Sequence, residues 1–239
     1  MTESTGFDLF ANDYDAWFAD NQPLLQSEVQ LLAYIWPEPR PARVLSVGCG
    51  TGLFEAILHR EHAISVTDGI EPADGMAAIA RDRGMAVEVA TAESGDFGTN
   101  RFDMLLFNGS TSYVDALQPI FDRAFQALRP GGHVLICDVP RESGFGVLYC
   151  LAAELGTWDH PIMAGVAPES PYPMPFVQSA KWRTTGERLD ALKTTGFVVT
   201  KTAQTLSTHP RRAGEVVEAP RDGHESGDYV AILAQRPQA

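Results

Sequence analysis

The sequence is poor in basic residues and has no long apolar run. Its 239 residues include 18 Lys and Arg against 31 Asp and Glu, a net charge of −13. This excess of acid disfavours attraction to nucleic-acid phosphates or anionic membranes. No apolar run approaches the ~20 residues of a membrane span, and the start Met1-Thr2-Glu3-Ser4 lacks the basic and apolar regions of a signal peptide. We therefore expect a cytoplasmic protein with a small-molecule substrate, no nucleic-acid partner and no membrane.

Cysteine is also scarce. The three cysteines are an odd number without the spacing of metal ligands, which fits a reducing compartment and predicts no metal site. Cys49 lies in a glycine-rich turn and Cys137 in an apolar strand, so we interpret both as small packing residues. The length allows one ample core and is short for two domains. We therefore expect a single domain over 1–239.

The most informative segment is a strand, a glycine-rich turn and a helix in succession. It runs Val44-Leu45-Ser46-Val47-Gly48-Cys49-Gly50-Thr51-Gly52, and a helix-like pattern begins at Leu53. Glycines in such a turn let a ligand approach the backbone, and the helix start offers it N–H groups. Glu71 lies about 20 residues further on, at the end of the next apolar strand, where an acidic residue can bind a pair of ribose hydroxyls.

The glycine spacing argues against a nicotinamide dinucleotide site. That fingerprint is G-x-G-x-x-G/A, and counted from Gly48 its third small residue would fall on Leu53. The bulk of leucine would hinder a pyrophosphate there. A glycine-rich turn that binds no ligand is the remaining structural alternative, and the position of Glu71 argues against it.

Strand and helix patterns alternate through the middle of the chain, which predicts a parallel sheet covered on both faces. Thr184–Thr195 has the pattern of a helix, and Phe197–Leu206 and Tyr229–Ala234 have that of strands. Because no helix separates these two strands, we expect a terminal antiparallel hairpin. The earlier predicted strands are 43–47, 66–71, 86–90, 103–108 and 132–138, and the predicted helices are 53–60, 74–83 and 115–128.

Two regions outside this alternation are candidates for a lid. Residues 1–36 carry two amphipathic helical patterns over 7–36, split near Pro23, and the aromatic segment Tyr14-Asp15-Ala16-Trp17-Phe18. That segment could instead anchor a terminal helix on the core. Residues 139–181 show no clean period and are rich in proline, which is typical of a functional insertion over a sheet. The polar segment 207–228 has no predicted element.

Five ordered blocks resemble the class I S-adenosylmethionine (SAM)-dependent methyltransferases, in particular small bacterial methyltransferases of the type 11 kind. The resemblance implies an α/β fold, namely a Rossmann-like doubly wound sheet that is mostly parallel with a terminal antiparallel hairpin. Helices would cover both faces, with an N-terminal helical lid. The blocks are Val44–Gly52, Gly69–Pro72, Thr91-Ala92-Glu93, Phe102–Asn108 and Leu128–Gly132.

The resemblance also implies that SAM is the cofactor and where it binds. A solvated charge at a helix start is the alternative for Glu71, and a core residue is the alternative for Met76. The resemblance places Gly48, Gly50 and Gly52 against the methionine part of SAM and Glu71 on the ribose. It places the Ala92 backbone and the Glu93 carboxylate on the adenine, with Met76 beside the ring. The Asn108 carbonyl and Tyr14 from the lid would also contact SAM.

The chain departs from the family at Ser46, where most relatives carry Asp or Glu. We therefore weigh methyl transfer from SAM to the oxygen, nitrogen or carbon of a small molecule against a non-catalytic or regulatory SAM-binding protein of this fold. Methyl transfer to a protein is a third possibility. Transfer from SAM depends on alignment and exclusion of water more than on acid or base, so no catalytic residue is predicted.

Several side chains are candidates to face the substrate. Loop solvation is an equal alternative for the hydroxyl residues and the commoner role for the histidines, and anchoring of the lid is the alternative for the aromatic residues. Hydroxyl groups follow the strand that ends at Asn108, histidines could remove a proton near neutral pH, and aromatic residues in and around the insertion could line a pocket. They are Ser110, Ser112 and Tyr113; His160, His209 and His224; and Tyr149, Trp158, Tyr172 and Trp182.

Overall fold

The computed structural model describes residues 11–238. Its helices are α1 (Ala11–Asp20), α2 (Gln22–Ile35), α3 (Leu53–His62), α4 (Asp74–Asp82), α5 (Leu117–Ala127), α6 (Gly144–Leu155), α7 (Met174–Ser179) and α8 (Thr185–Thr195). Its strands are β1 (Val44–Val47), β2 (Asp68–Ile70), β3 (Ala86–Glu88), β4 (Phe102–Asn108), β5 (Leu128–Asp138), β6 (Val198–Thr205), β7 (Arg221–Asp222) and β8 (Tyr229–Gln235).

The strands of the described residues form one sheet in the order β3-β2-β1-β4-β5-β8-β6-β7. Strands β1 to β5 pair in parallel, and β8 runs antiparallel between β5 and β6. The predicted Rossmann-like, mostly parallel sheet with a terminal antiparallel hairpin is therefore confirmed.

Helices cover both faces of the sheet, as predicted, because the central strands are apolar on both sides. Along β4, Met104 and Leu106 pack into the core on the side of α2 and α3. Leu105 and Phe107 pack into the core on the side of α5 and α8. The alternation follows from the two-residue period of a strand.

Local signals in the sequence explain the bounds of α8. The Thr184 hydroxyl accepts from the backbone N–H of Glu187 at 3.0 Å, and the Glu187 carboxylate accepts from that of Thr184 at 2.6 Å. This capping box begins the helix. Gly196 ends it in the left-handed conformation, with φ +104°.

Other bounds differ from the predictions. Strand β2 begins only at Asp68, and Gly69 within it lies so near Cys49 that a Cβ would approach the Cys49 Sγ to 2.8 Å. Strand β5 begins at Leu128, which pairs with Phe102 across a register irregularity. The break between α1 and α2 falls at Asn21, just before Pro23. Residues 7–10 of the predicted first helix lie outside the described residues.

Two segments predicted without regular structure contain short elements. The insertion 139–181 holds α6 and α7, and 207–228 holds β7. Helix α6 is apolar nearly all round, so its sequence shows no amphipathic period. Strand β7 has two residues, too few for a two-residue alternation to be visible. Within residues 11–238, no helix combines the length and apolarity needed to cross a membrane.

Candidate functional site

A cavity of about 420 Å³ lies at the carboxyl ends of the central strands. Val47, Asn108 and Asp138, the last residues of β1, β4 and β5, line it. Sequential strands continue on opposite sides of β1 and β4, and open α/β sheets bind ligands at such a switch point. The volume lies within the roughly 300–1,000 Å³ of small-molecule sites.

The glycine-rich turn after β1 presents its backbone to this cavity. Gly48 and Gly50 line it with φ of +72° and +56°, a conformation that favours glycine. A Cβ on Gly48 would lie 2.6 Å from the Cβ of Ser110, so a larger residue has no room there. Gly52 lies outside the lining, and a Cβ on it would approach the Met85 Sδ to 2.8 Å. Gly52 thus permits close helix packing, and its contact with the cofactor stays a prediction.

Glu71 follows β2 and is 5% exposed, which excludes a solvated carboxylate at a helix start. Its Oε2 accepts from the backbone N–H of Gly50 at 2.9 Å, and its Oε1 accepts from that of Ala73 at 2.9 Å. The side chain therefore joins the glycine-rich turn to the start of α4 while lining the cavity. A carboxylate offers about four acceptor sites, which suits backbone donors together with the hydroxyls of a ribose.

The structure explains the serine at position 46. The Ser46 hydroxyl donates to Glu55 Oε1 at 2.6 Å, and both residues are buried. Burial raises the pKa of the Glu55 carboxyl, and the bond from Ser46 partly offsets that rise. An acid at position 46 would place a second carboxylate against Glu55, and two such charges repel. The carboxyl beside Ser46 thus comes from α3, and neither Ser46 nor Glu55 belongs to the lining of the cavity.

The remaining predicted cofactor contacts meet at the same cavity. The Glu93 carboxylate accepts from the backbone N–H of Asp115 at 3.0 Å, and Asn108 Oδ1 accepts from the Tyr229 hydroxyl at 2.9 Å. Their contacts with bound SAM stay predictions. The residues of this group that line the cavity are Tyr14, Met76, Ala92, Glu93 and Asn108.

Helix α1 is tied directly to the glycine-rich turn. Asp15 accepts from the Thr51 hydroxyl at 2.6 Å and forms an ion pair with Arg83 at 2.5 Å. Arg83 also donates to the Thr51 carbonyl at 2.7 Å. We call these three residues the Asp15 latch. The latch holds α1 where its aromatic residues line the cavity.

The insertion meets α1 over the cavity. The Trp17 indole N–H donates to the carbonyls of Ser170 and Pro171 at 3.2 and 3.1 Å. The Trp17 and Tyr172 rings pack edge to face, with centroids 4.9 Å apart. Residues more than 150 positions apart in the chain therefore form one aromatic wall.

Asp138 carries a charge that the protein compensates fully. Arg188 pairs with it at 3.0 Å, and both side chains are at most 4% exposed. The Asp138 carboxylate also accepts from the Thr111 hydroxyl and from the hydroxyl and backbone N–H of Ser112. Such a buried pair is stable only with this full set of partners. Asp138 therefore presents an anchored, neutralised carboxylate to the cavity.

Glu28 also lines the cavity, and no such compensation surrounds it. The residue lies on α2 and is 7% exposed. Among residues 11–238, its carboxyl makes no hydrogen bond and no ion pair that meets ordinary distance limits. Burial and the nearby charge of Asp138 raise its pKa well above the usual range. Burial likewise raises the pKa values of the neighbouring Tyr149 and Tyr229.

The predicted substrate contacts divide into two groups. Ser110, Tyr113, Tyr149, Tyr172 and Trp182 line the cavity. Ser112 bonds to Asp138 behind the lining, and Trp158 anchors the insertion by donating to the Tyr172 carbonyl. His160 and His209 accept backbone bonds in exposed turns, and His224 lies beside Thr202. None of these three histidines belongs to the lining, so the structure does not support them as bases in this cavity.

The sequence analysis missed Glu28, Asp138 and Arg188. Asp138 ends a predicted strand at the ligand edge of the sheet, and that position was a usable signal. Glu28 and Arg188 lie on helices, where a charged residue usually faces solvent. Within residues 11–238, no group of three or more His, Cys, Asp or Glu side chains is placed to hold a metal ion.

Comparison with known proteins shows which proteins this chain resembles. A family model described as a methyltransferase domain matches residues 18–202. A solved structure from Thermotoga maritima, described as a SAM-dependent methyltransferase and possible histamine N-methyltransferase, is 29% identical with a TM-score of 0.80. The match covers 96% of this chain and 98% of that one.

Two curated relatives extend the comparison. An uncharacterized protein of Methanocaldococcus jannaschii is 26% identical over 96% of this chain and 98% of its own length. The trans-aconitate 2-methyltransferase of Variovorax paradoxus is 29% identical over 65% of this chain and 55% of its own length.

Proposed function

The chain belongs to the methyltransferase domain family and uses SAM as its cofactor, and on that premise we propose that it methylates a small-molecule acceptor bound in the cavity. The observation that carries the proposal is the aromatic wall of Trp17 and Tyr172, which covers the cavity from two distant parts of the chain. Such a wall leaves room for a small ligand and little for a folded protein chain.

The residues of the cavity fit SAM. The turn around Gly48 and Gly50 leaves the backbone open to a ligand, and the buried carboxylate of Glu71 suits the two ribose hydroxyls. SAM is a sulfonium cation, and among the described residues no Lys, Arg or His belongs to the lining. When bound, SAM supplies a methyl group that is already activated for displacement.

The protein's own part is then positioning and exclusion of water. Gly48, Gly50 and Glu71 would hold the cofactor at the sheet edge. Tyr14, Trp17 and Phe18 line the cavity from α1 and would replace water around the reacting groups. Alignment of two bound reactants can supply about 7–11 kcal/mol of a barrier, so this arrangement suits methyl transfer without a catalytic triad.

The buried acid Glu55 weakens the alternative of a non-catalytic protein. That alternative depended on the missing acid at Ser46, and the Ser46–Glu55 bond places a buried carboxyl 2.6 Å from the Ser46 hydroxyl. Two relatives also support a small acceptor, since they are described as methylating trans-aconitate and, possibly, histamine. Another relative, similar over 40% of this chain, is named for an acceptor on an acyl-carrier protein.

Transfer of a labelled methyl group tests the proposal. The protein is incubated with methyl-labelled SAM and either a metabolite extract or the protein fraction of the same cells. We expect label in the metabolites, and we expect Glu71→Ala to lower it about tenfold or more at limiting SAM. Label confined to proteins would contradict the proposal. Binding of S-adenosylhomocysteine (SAH) without any transfer would instead favour a regulatory protein.

A further inference from the structure

We propose that Glu28 binds the acceptor, and that the acceptor is a protonated amine whose proton Glu28 takes before methyl transfer. The inference rests on the proposed function and adds to it the charge of the acceptor and the residue that recognises it.

The first step is the charge of the cavity. Four acidic residues line it, of which Asp138 is neutralised by Arg188 from behind the lining, and no basic side chain of the described residues lines it. Such a lining attracts cations and repels anions. An acceptor that carries a carboxylate or phosphate would therefore meet repulsion without any compensating Lys or Arg. The four acids are Glu28, Glu71, Glu93 and Asp138.

The second step is that Glu28 differs from the other three. Glu71 and Glu93 accept backbone hydrogen bonds, and Asp138 has Arg188. Glu28 is 93% buried, since it is 7% exposed, and has no hydrogen-bonding partner among residues 11–238. Burial of such a group without a partner is costly. Because Glu28 faces a cavity, a cationic ligand can supply the missing partner.

The third step is the aromatic surround. The Tyr149 ring lies 4.8 Å from that of Trp182 and 6.1 Å from that of Tyr172, centroid to centroid. Phe145 packs on Tyr149 at 5.6 Å. Aromatic faces attract ammonium groups within about 6 Å. The indole N–H of Trp182 is also buried without a partner among the described residues, which leaves a donor for another polar atom of the acceptor.

The chemistry requires a proton acceptor at this place. An ammonium nitrogen has no free electron pair and cannot attack a methyl group. If the Glu28 carboxylate takes one proton and becomes a carboxylic acid, the electrons of that N–H bond remain on nitrogen. The neutral nitrogen then forms the new C–N bond while the C–S bond of the cofactor breaks and its electron pair stays on sulfur. The raised pKa of Glu28 makes its carboxylate a stronger proton acceptor.

Paired probes that differ only in charge test the inference. Binding of 2-phenylethylamine, tyramine and tryptamine to the SAH-loaded protein is measured by calorimetry against 2-phenylethanol, tyrosol and tryptophol. We expect at least one amine to bind about tenfold or more tightly than its alcohol, as a charge-assisted bond predicts. Glu28→Gln should remove that preference and leave the affinities for the alcohols and for SAH within about twofold.

Glu154→Gln, the same change at an exposed position of α6, is the matched control and should keep the preference. Thermal melting checks that each variant is folded, and Glu28→Asp should retain part of the selectivity. The inference is overturned if no amine binds the SAH complex, if alcohols bind as tightly as amines, or if Glu28→Gln keeps the preference. Labelled transfer to neutral acceptors alone would also overturn it while leaving the proposed function intact.

Discussion

The two halves of the cavity are built in different ways. The half proposed to bind the cofactor, called the cofactor half, comprises Gly48, Gly50, Glu71 and the segment 91–93, all within one stretch of the chain. Bonds from backbone N–H groups to Glu71 position it, and the rest of the cavity is called the acceptor half. The acceptor half is lined by side chains from α1, α2, β5, α6 and the insertion, joined by contacts such as that of Trp17 with Ser170. A backbone-defined half tolerates change elsewhere in the chain. A half made of side chains can change its ligand through single substitutions.

The largest expected effect concerns the ion pair at the floor of the acceptor half. Arg188→Met leaves Asp138 buried and uncompensated, so we expect a loss of about 3–5 kcal/mol in the free energy of unfolding. Chemical denaturation measures it. Arg141→Met is the control, because its pair with Glu187 is half exposed and worth about 0–1 kcal/mol. Equal effects of the two variants would show that the pair does not anchor this half.

A second prediction concerns Ser46 beside the cofactor half. Family resemblance alone predicts that Ser46→Asp improves SAM binding. The 2.6 Å bond to Glu55 predicts the reverse, because two buried carboxyls would face each other, at a cost of roughly 2–4 kcal/mol of stability. Denaturation and SAH calorimetry measure both quantities. Ser46→Ala, which only loses the bond, should cost less. Tighter SAH binding at unchanged stability would contradict the structural explanation.

The third prediction tests the cofactor half alone, through the affinity of the protein for SAH. Glu71→Ala removes acceptors for the ribose, each bond being worth about 1.5–3 kcal/mol, so SAH affinity should fall about tenfold or more. The SAH affinity of Glu71→Gln should lie between those of Glu71→Ala and the wild type, because an amide oxygen can still accept from the backbone N–H of Gly50 or Ala73. Calorimetry and melting curves are the measurements. Unchanged affinity in folded Glu71→Ala would show that this carboxylate only braces the turn.

The fourth prediction concerns stability at the acceptor half. The pKa of Glu28 is raised in the folded protein, so its proton is held more tightly there than in the unfolded chain. Wild-type stability is unaffected by this group below the unfolded pKa near 4.5 and falls as the pH rises above it. Glu28→Gln should therefore melt like the wild type near pH 4 and a few degrees higher near pH 8, at about 2–4 °C per kcal/mol.

The groups around Glu28 do not account for such a difference. Asp138 is paired with Arg188. Burial raises the pKa values of the tyrosines and the cysteine around Glu28, so these groups keep their protons between pH 4 and pH 8. Glu154→Gln should show no comparable stabilisation. A Glu28→Gln protein that melts below the wild type at pH 8 would mean that the carboxylate has a structural partner. The tyrosines and the cysteine around Glu28 are Tyr14, Cys137, Tyr149, Tyr172 and Tyr229.

The smallest expected effect concerns the contact between α1 and the insertion. Trp17→Phe removes the bonds to Ser170 and Pro171. The free energy of local unfolding of the insertion should fall by about 0.5–1.5 kcal/mol. Hydrogen exchange over 156–173 should accelerate while SAH affinity stays constant. Tyr34→Phe, which removes an exposed bond to Asp222, serves as the control. Equal exchange in both variants would show that the wall does not depend on this contact.

That the predicted cofactor residues meet at one cavity could be predicted from the sequence, because the signals are local. Glycine spacing, a strand end and the position of Glu71 follow from the backbone of one sheet edge. Gly52 shows the limit, since its close neighbour Met85 is invisible in that spacing. Glu28 could not be predicted. On an amphipathic helix a glutamate usually faces solvent, and its burial depends on Asp138 and on an insertion more than 100 residues away.

The Asp15 latch has a kinetic consequence. It fastens α1, which lines the cavity, to the glycine-rich turn where we propose that the cofactor binds. If the spent cofactor leaves past α1, the bonds from Asp15 to Thr51 and Arg83 have to break, at least transiently. In that case the residence time of the product, and with it the ceiling on turnover, depends on one carboxylate that touches neither reactant.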